Sequence, residues 1–314
     1  MRTGVVILPE HPWPEAREIW QAAEEAGFDH AWTYDHLTWR SLRDAPWFGS
    51  VPLLAAVAAV TRRIRIGPLV ATPNFRHPVV LAKELMTLDH IAGGRLTAGI
   101  GAGADGFDAQ ALGGPALPPG ARTRRFEEFV TLLDRLLRHP ATDHDGPFYT
   151  ARAARTMPGC VQQPRIPFAI AAAGPRGMRL AARYGQAWVT AGDPARPGRV
   201  TGPAVLPLLA RQARAVDEAC ARAVRDPASL DRIVLGSRLV PDLTDSADRL
   251  TAFAAGCAAL GFTDLVLHRP RPSGVFAGKA GTFDAVVAAA LPHIARLRPV
   301  HDANGGAAGG DGPR

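Results

Sequence analysis

Cysteine is scarce in this chain, whose 314 residues include only Cys160, Cys220 and Cys257, far apart in the sequence. Three such residues do not form a disulfide framework. Because no Cys-x-x-Cys pair or Cys/His cluster is present, we expect no metal site. A chain of this length can bury enough apolar surface to be stable without disulfides or a bound metal. We therefore expect reduced thiols in a cytoplasmic protein.

Long hydrophobic runs are also missing. The first apolar run, GVVIL at 4–8, ends at Pro9 and is too short for the core of a signal peptide. No stretch approaches the ~20 apolar residues that span a bilayer, so we expect no membrane partner.

Runs of basic residues are absent as well, although 36 basic and 29 acidic residues give a net charge of +7. The arginines are scattered, which is typical of a solvated surface and argues against a nucleic-acid partner. Attraction of an anionic ligand is the alternative explanation of the positive charge.

Strand-like and helix-like segments alternate along the chain. The expected strands lie at 3–8, 30–33, 64–70, 96–100, 168–172, 187–190, 232–240 and 265–268, each followed by a helix. Such alternation predicts a parallel sheet, and eight βα units can close into a barrel without edge strands. The predicted fold class is therefore α/β: a single (β/α)8 TIM barrel over residues 1–301, with insertions in the βα loops. A doubly wound open sheet is the alternative.

Two segments fall outside this repeating pattern. The residues 139–167 separate the fourth helix from the fifth strand, and we expect them to form an excursion from the barrel. The glycine-rich tail at 302–314 has no apolar anchor, so we expect it to be disordered.

Polar residues follow the second and third strands, where the active sites of such barrels lie. His36 can exchange a proton near neutral pH, and Asp35 can orient it or accept a hydrogen bond from a cofactor ring. Thr72 and Asn74 offer polar groups in the next loop. The alternatives are a surface or helix-capping pair at 35–36 and a merely stiff loop at 71–78.

Small residues follow the fourth and fifth strands, where bare backbone amides can hold a phosphate. They are Gly101, Ala102, Gly103, Ala171, Ala172, Ala173, Gly174 and Pro175, followed by Arg176. The first loop is not a dinucleotide fingerprint, because no βαβ unit with a later acidic residue follows it. Tight strand–helix packing is the alternative for the second loop.

Three segments together resemble the luciferase-like monooxygenase family, whose members are barrel oxidoreductases that use FMN or the deazaflavin coenzyme F420. The segments are EEAGFDHAWTYDHL (24–37), TRRIRIGPLVATPNFRHPVVLAKELMTLDHIAGGRLTAGIGAG (61–103) and PFAIAAAGPRGMRLAARYGQAWVT (167–190). The resemblance covers most of the chain, residues 1 to 300.

The resemblance implies roles for particular residues. His36 matches the active-site histidine, Asp35 matches an aspartate that contacts the deazaflavin ring, and Trp39 approximately matches a nearby tryptophan. A non-prolyl cis peptide is implied at Leu69–Val70, and phosphate-binding loops at 101–103 and 172–176. Homodimerisation is common in the family, so we expect a homodimer.

The resemblance also narrows the reaction. Sugar-phosphate dehydrogenases of the family carry a glutamate just after the strand 4 glycines, where this chain has Ala104 and Asp105, which argues against oxidation of a sugar phosphate. The small loop at 101–103 and the basic charge favour F420 over FMN. We expect hydride transfer between the deazaflavin ring and a small organic substrate, in the direction of an F420H2-dependent reductase. An FMN-dependent monooxygenase that uses reduced flavin and oxygen, and a non-catalytic flavin-binding protein, are the alternatives.

Overall fold

The computed structural model describes residues 1–104, 106–115, 117–192 and 204–300. Asp105 and the tail at 302–314, for which disorder was expected, lie outside the described residues. The strands are β1 (Arg2–Val6), β2 (His30–Thr33), β3 (Arg65–Pro68), β4 (Ala98–Gly101), β5 (Ala141–Asp145), β6 (Thr150–Arg155), β7 (Phe168–Ala171), β8 (Ala187–Thr190), β9 (Asp231–Leu235) and β10 (Asp264–His268). The helices are α1 (Trp13–Glu25), α2 (Ser50–Val60), α3 (Pro78–Ile91), α4 (Phe107–Ala111), α5 (Pro119–Arg138), α6 (Pro175–Tyr184), α7 (Val205–Arg222), α8 (Gly236–Leu239), α9 (Ala247–Ala259) and α10 (Ala280–Ile294).

Eight parallel strands form one sheet in the order β3-β2-β1-β10-β9-β8-β7-β4. The two end strands also meet, because parallel bridges join Ile66 to Leu96 and Ala71 to Ile100. The amide of Ala71 donates to the carbonyl of Gly99 at 2.8 Å, and the amide of Gly101 donates to Ala71 at 3.0 Å. The sheet is therefore a closed (β/α)8 barrel, as predicted, and the open-sheet alternative is wrong.

Alternate residues of the strands serve two separate cores, as the two-residue period of a strand requires. On β1, Val5 packs in the large cluster that includes the helices, whereas Val6 belongs to a smaller cluster with Trp32, Leu69 and Val266. The smaller cluster fills the barrel, which is therefore a packed core and not a pore. Any ligand must consequently bind above it, at the mouth.

Two parts of the chain differ from the expected pattern. The excursion at 139–167 contains an antiparallel pair, β5 and β6. The predicted strand at 232–240 is too long: β9 ends at Leu235, and Gly236–Leu239 form the short helix α8. An apolar run of this length does not by its periodicity distinguish a buried strand from a strand followed by a helical turn.

In the described ranges, no helix has both the length and the apolar character needed to cross a membrane. The three cysteines are free and buried. Burial raises the pKa of the Cys257 thiol to about 12, so this side chain acts as a small apolar group.

Candidate active site

A cavity of about 660 Å³ opens at the carboxyl ends of the barrel strands. Except for Asp35, every residue that the sequence singled out lines it. These residues are His36, Trp39, Leu69, Val70, Thr72, Asn74, Gly101, Ala102, Gly103, Ala171, Ala172, Ala173, Gly174, Pro175 and Arg176. The cavity lies within the 300–1,000 Å³ typical of ligand pockets, and Leu69 in its floor belongs to the core inside the barrel.

His36 is held by an acid that the sequence did not identify. Its Nδ1 lies 2.7 Å from Oδ2 of Asp108, and the other oxygen of Asp108 accepts from the amide of Leu37 at 2.8 Å. Because a carboxylate oxygen accepts, Nδ1 carries the hydrogen and Nε2 is the free position of the ring. Asp108 is almost fully buried, whereas the His36 side chain is 24% exposed. The pair is therefore a fixed carboxylate that orients an accessible imidazole.

Asp108 lies a few residues beyond the position where the sequence pattern predicts an acid. An acid was considered only directly after the strand 4 glycines, at 104 and 105. The short helix α4 instead carries the acid a few residues further on and turns it back toward β2.

Asp35 does not face the cavity. Its side chain is buried, and its carboxylate accepts from Nη2 and Nε of Arg76 at 2.7 and 3.0 Å. The hydroxyl of Ser50 donates to it at 2.5 Å. Burial alone would lower the pKa of Arg76, but its hydrogen bonds to Asp35 and the charge of that carboxylate outweigh burial and raise it. In this arrangement Asp35 anchors the loop after β3 through Arg76, and its contact with a cofactor ring stays a prediction.

The loops after β3 and β4 are fitted to each other. The peptide bond between Leu69 and Val70 is cis, as the resemblance implied. A Cβ on Gly101 would lie 2.7 Å from Cγ2 of Val70. At Gly103, φ is +72° and a Cβ would lie 2.6 Å from Nδ2 of Asn74. Both positions therefore require glycine.

Asn74 connects these loops to the barrel's outer layer. Its Nδ2 donates to the carbonyl of Ala104 at 2.9 Å, and its Oδ1 accepts from Arg125 at 2.6 Å. The Asn74 side chain thus has two protein partners and works mainly as a brace for the cavity wall.

The loop after β7 presents bare backbone at the start of α6. A Cβ on Gly174 would meet no heavy atom within 4 Å, so this part of the wall is open. Helix α6 begins without a side-chain cap, and Arg176 in its first turn is exposed. Free amides, a helix N-terminus and a guanidinium together suit a phosphate.

Aromatic side chains form the wall on the β2 side. Trp39 stacks on Trp47 and on Phe276, each at a centroid distance of 6.2 Å. It also meets Tyr34 edge-on at 5.2 Å. This packing makes Trp39 a rigid apolar surface beside His36.

A second cavity of about 530 Å³ adjoins the first, and Trp39, Arg40 and Arg238 line both. Neither arginine was among the predicted catalytic or cofactor-binding residues. Arg238 lies on α8, which the sequence had assigned to a strand, and Arg40 lies in the long loop after β2.

Comparisons with known proteins agree with this architecture. A sequence model of the luciferase-like monooxygenase family matches residues 1–286. An F420-dependent glucose-6-phosphate dehydrogenase of Beutenbergia cavernae is 35% identical over 215 residues, which cover 68% of this chain and 60% of that protein. The 4-hydroxyprotoasukamycin monooxygenase of Streptomyces nodosus subsp. asukaensis is 32% identical over 229 residues, covering 69% of this chain and 58% of that protein.

Solved structures share the fold. The coenzyme F420 dependent tetrahydromethanopterin reductase from Methanopyrus kandleri superposes with a TM-score of 0.73 at 17% identity, covering 93% of this chain and 99% of that chain. At this identity the likeness concerns the barrel alone.

Proposed function

Because this chain belongs to the luciferase-like monooxygenase family, we propose that it is an F420-dependent oxidoreductase that reduces a small organic substrate. The observation that carries the proposal is the placement of His36. His36, whose Nε2 is free, lines the same cavity as the small-residue loops after β4 and β7. A histidine that can donate a proton and loops that suit a phosphate thus share one opening.

The residues of the cavity fit such a coenzyme. Gly101, Ala102 and Gly103 line the cavity with little side-chain volume. The amides of Ala173, Gly174 and Arg176 suit its phosphate. When bound there, F420H2 would supply a hydride. The cavity wall holds the substrate against the cofactor and excludes water, since hydride donor and acceptor carbons must approach to about 3–3.5 Å.

His36 completes the reduction on the protein side. A hydride added to one atom of a C=C, C=N or C=O bond leaves the neighbouring atom in need of a proton. In its doubly protonated form His36 donates that proton from Nε2, while Nδ1–H stays bonded to Asp108, and the ring then takes up a new proton from solvent. The protein thus supplies one proton for each hydride transferred.

The rival function is that of an FMN-dependent monooxygenase, supported by the 32% identity to a monooxygenase. Titration of the purified protein with each cofactor separates the two. We expect F420 to bind at least about tenfold more tightly than FMN, which corresponds to about 1.4 kcal/mol. Tight binding of FMN alone, together with oxygen-dependent turnover, would reverse this assignment.

We also propose that the protein is a cytoplasmic homodimer. Free, buried cysteines suit a reducing compartment. Exposed apolar side chains on α3 and in the neighbouring segment, Val80, Ile91, Met157 and Val161, offer a contact surface. Light scattering after size exclusion should give twice the chain mass of 33.3 kDa, and the mass of a single chain would contradict the proposal.

A further inference from the structure

The second cavity is a separate chamber on the β10 side of the mouth. Besides the three residues that it shares with the first cavity, its wall includes Phe276 and Phe283, with His268 beneath them. The His268 ring stacks on Phe276 with centroids 3.8 Å apart. The chamber therefore has aromatic surfaces suited to the apolar body of a small molecule.

The charges around this chamber are unbalanced. Arg40, Arg238 and Lys279 line it, against the single carboxylate of Asp245. Across the described residues, none of the three cations forms a salt bridge; Arg238 donates only a long hydrogen bond of 3.4 Å to the hydroxyl of Tyr34. Arg40 and Lys279 are exposed and Arg238 is half-buried, so together they form a cationic surface that an anionic ligand can reach.

The two arginines repel each other. Burial, and next the charge of Arg238, lower the pKa of Arg40. His268 adds no charge, because burial and then Arg238 hold its pKa well below the ordinary value. An anion between the guanidinium groups would relieve this repulsion.

Helix α10 adds a further group of donors. Lys279 is its N-cap residue and makes no side-chain capping bond. Thr282 and Phe283 of the first turn line the chamber, and a Cβ on Gly281 would meet no heavy atom within 4 Å. The first amides of the helix are thus left for a ligand or water, and the helix dipole favours negative charge there.

Backbone strain is concentrated at the same place. Four non-glycine residues in the described ranges have positive φ, and two of them, Arg40 at 42° and Phe276 at 59°, line this chamber. Such conformations cost free energy and cluster where a particular side-chain position serves function.

We propose that the second cavity binds the anionic end of the substrate, a carboxylate or a phosphate, between Arg40 and Arg238, with the rest of the molecule extending to His36. This inference names the substrate class of the proposed reductase and rests on that proposed function. Arg176, which lines only the first cavity, remains available to the coenzyme phosphate. Arg40 and Arg238 border both cavities, so the anionic end of the substrate lies at the boundary between the chamber and the coenzyme site.

The test uses two probes of the same shape, naphthalene-2-carboxylate and naphthalene-2-carboxamide, titrated by calorimetry into the F420-loaded protein. We expect the carboxylate to bind about tenfold or more tightly than the carboxamide, as charge-assisted hydrogen bonds imply. This preference should disappear in the double variant Arg40→Gln/Arg238→Gln and weaken in Lys279→Gln. The control Arg63→Gln changes an exposed arginine in the loop between α2 and β3, on the opposite side of the barrel, and should preserve the preference.

Three outcomes separate the hypotheses. If wild-type protein binds F420 but not the carboxylate in preference to the carboxamide, the anionic subsite is wrong while the proposed function stands. If the double variant loses F420 affinity together with carboxylate affinity, the arginines belong to the coenzyme site and the proposal is also overturned. If wild-type protein does not bind F420, the proposed function itself fails, and the same titration of unloaded protein decides whether an anion site exists. The single variant Arg40→Lys is the control against misfolding of the double variant. Because this variant keeps the positive charge, retention of the preference for the carboxylate would support a role for charge.

Discussion

Replacement of His36 with alanine should lower kcat by about 10²–10⁴-fold, the usual contribution of a positioned general acid. Its Nε2 is the proton donor in the proposed reduction, and the ring packs against the cavity wall without supporting the barrel core. F420 affinity should change little, because the proposed coenzyme cradle lies in the loops after β4 and β7. Single-turnover kinetics with a saturating reduced coenzyme would measure the effect.

Controls decide whether this loss concerns proton transfer. Exogenous imidazole should restore part of the activity of His36→Ala, whereas the exposed His293 on α10 should be replaceable without effect. Unchanged turnover in His36→Ala would contradict the proton-transfer role of His36. If the wild-type protein binds the coenzyme but shows no turnover, the result would favour a non-catalytic flavin-binding protein.

Asp108 should act through His36 and not on the substrate. Asp108→Asn replaces the acceptor at Nδ1 with a group that can also donate, so the ring loses its fixed orientation. We expect kcat to fall by about 10–100-fold, as for other residues that orient a functional histidine, with KM unchanged. An equal effect on KM and on F420 affinity would show that the substitution merely disturbs the loop.

Replacement of Arg76 with alanine should lower the free energy of unfolding by about 3–5 kcal/mol, the cost of leaving a buried charge without its partner. Asp35 is 1% exposed, and its remaining partner would be the Ser50 hydroxyl. Denaturant unfolding measures the loss. Arg63→Ala, at an exposed arginine, should stay within about 0.5 kcal/mol of wild type.

A second variant distinguishes the two explanations of Asp35. If the carboxylate anchors the loop after β3, the double variant Asp35→Ala/Arg76→Ala should recover part of the stability lost in Arg76→Ala, since no buried charge remains. If Arg76→Ala retains full stability but loses F420 affinity, the carboxylate serves the coenzyme, as the family resemblance implied.

The local sequence was sufficient to predict the position of a residue wherever that position depends only on the strand that the residue follows or ends. His36, Thr72, Gly101 and Ala172 each lie at or just after the carboxyl end of a barrel strand. The carboxyl ends of parallel strands must meet at one mouth. The position of the cavity and most of its lining could therefore be predicted. The error at 236–239 arose where an apolar run continues past the end of a strand.

Contacts between distant segments could not be predicted in this way. Asp108 reaches His36 across 72 positions of sequence, and Arg76 reaches Asp35 across 41. Both depend on how long loops pack, and loop packing has no periodic signal. The sequence predicted that an acidic residue orients the imidazole of His36. The structure has an acidic residue there, but it is Asp108 and not Asp35.

By itself, the order of strands and helices in the sequence determined a closed barrel, a mouth lined by small residues and one histidine. The tertiary structure decided which carboxylate orients that histidine, which one is committed to Arg76, and that Arg40 and Arg238 stand together beside a second cavity. The physical reason is that alternation and periodicity specify how each element packs on its neighbours, whereas hydrogen bonds and charges across the mouth depend on three-dimensional distances between loops.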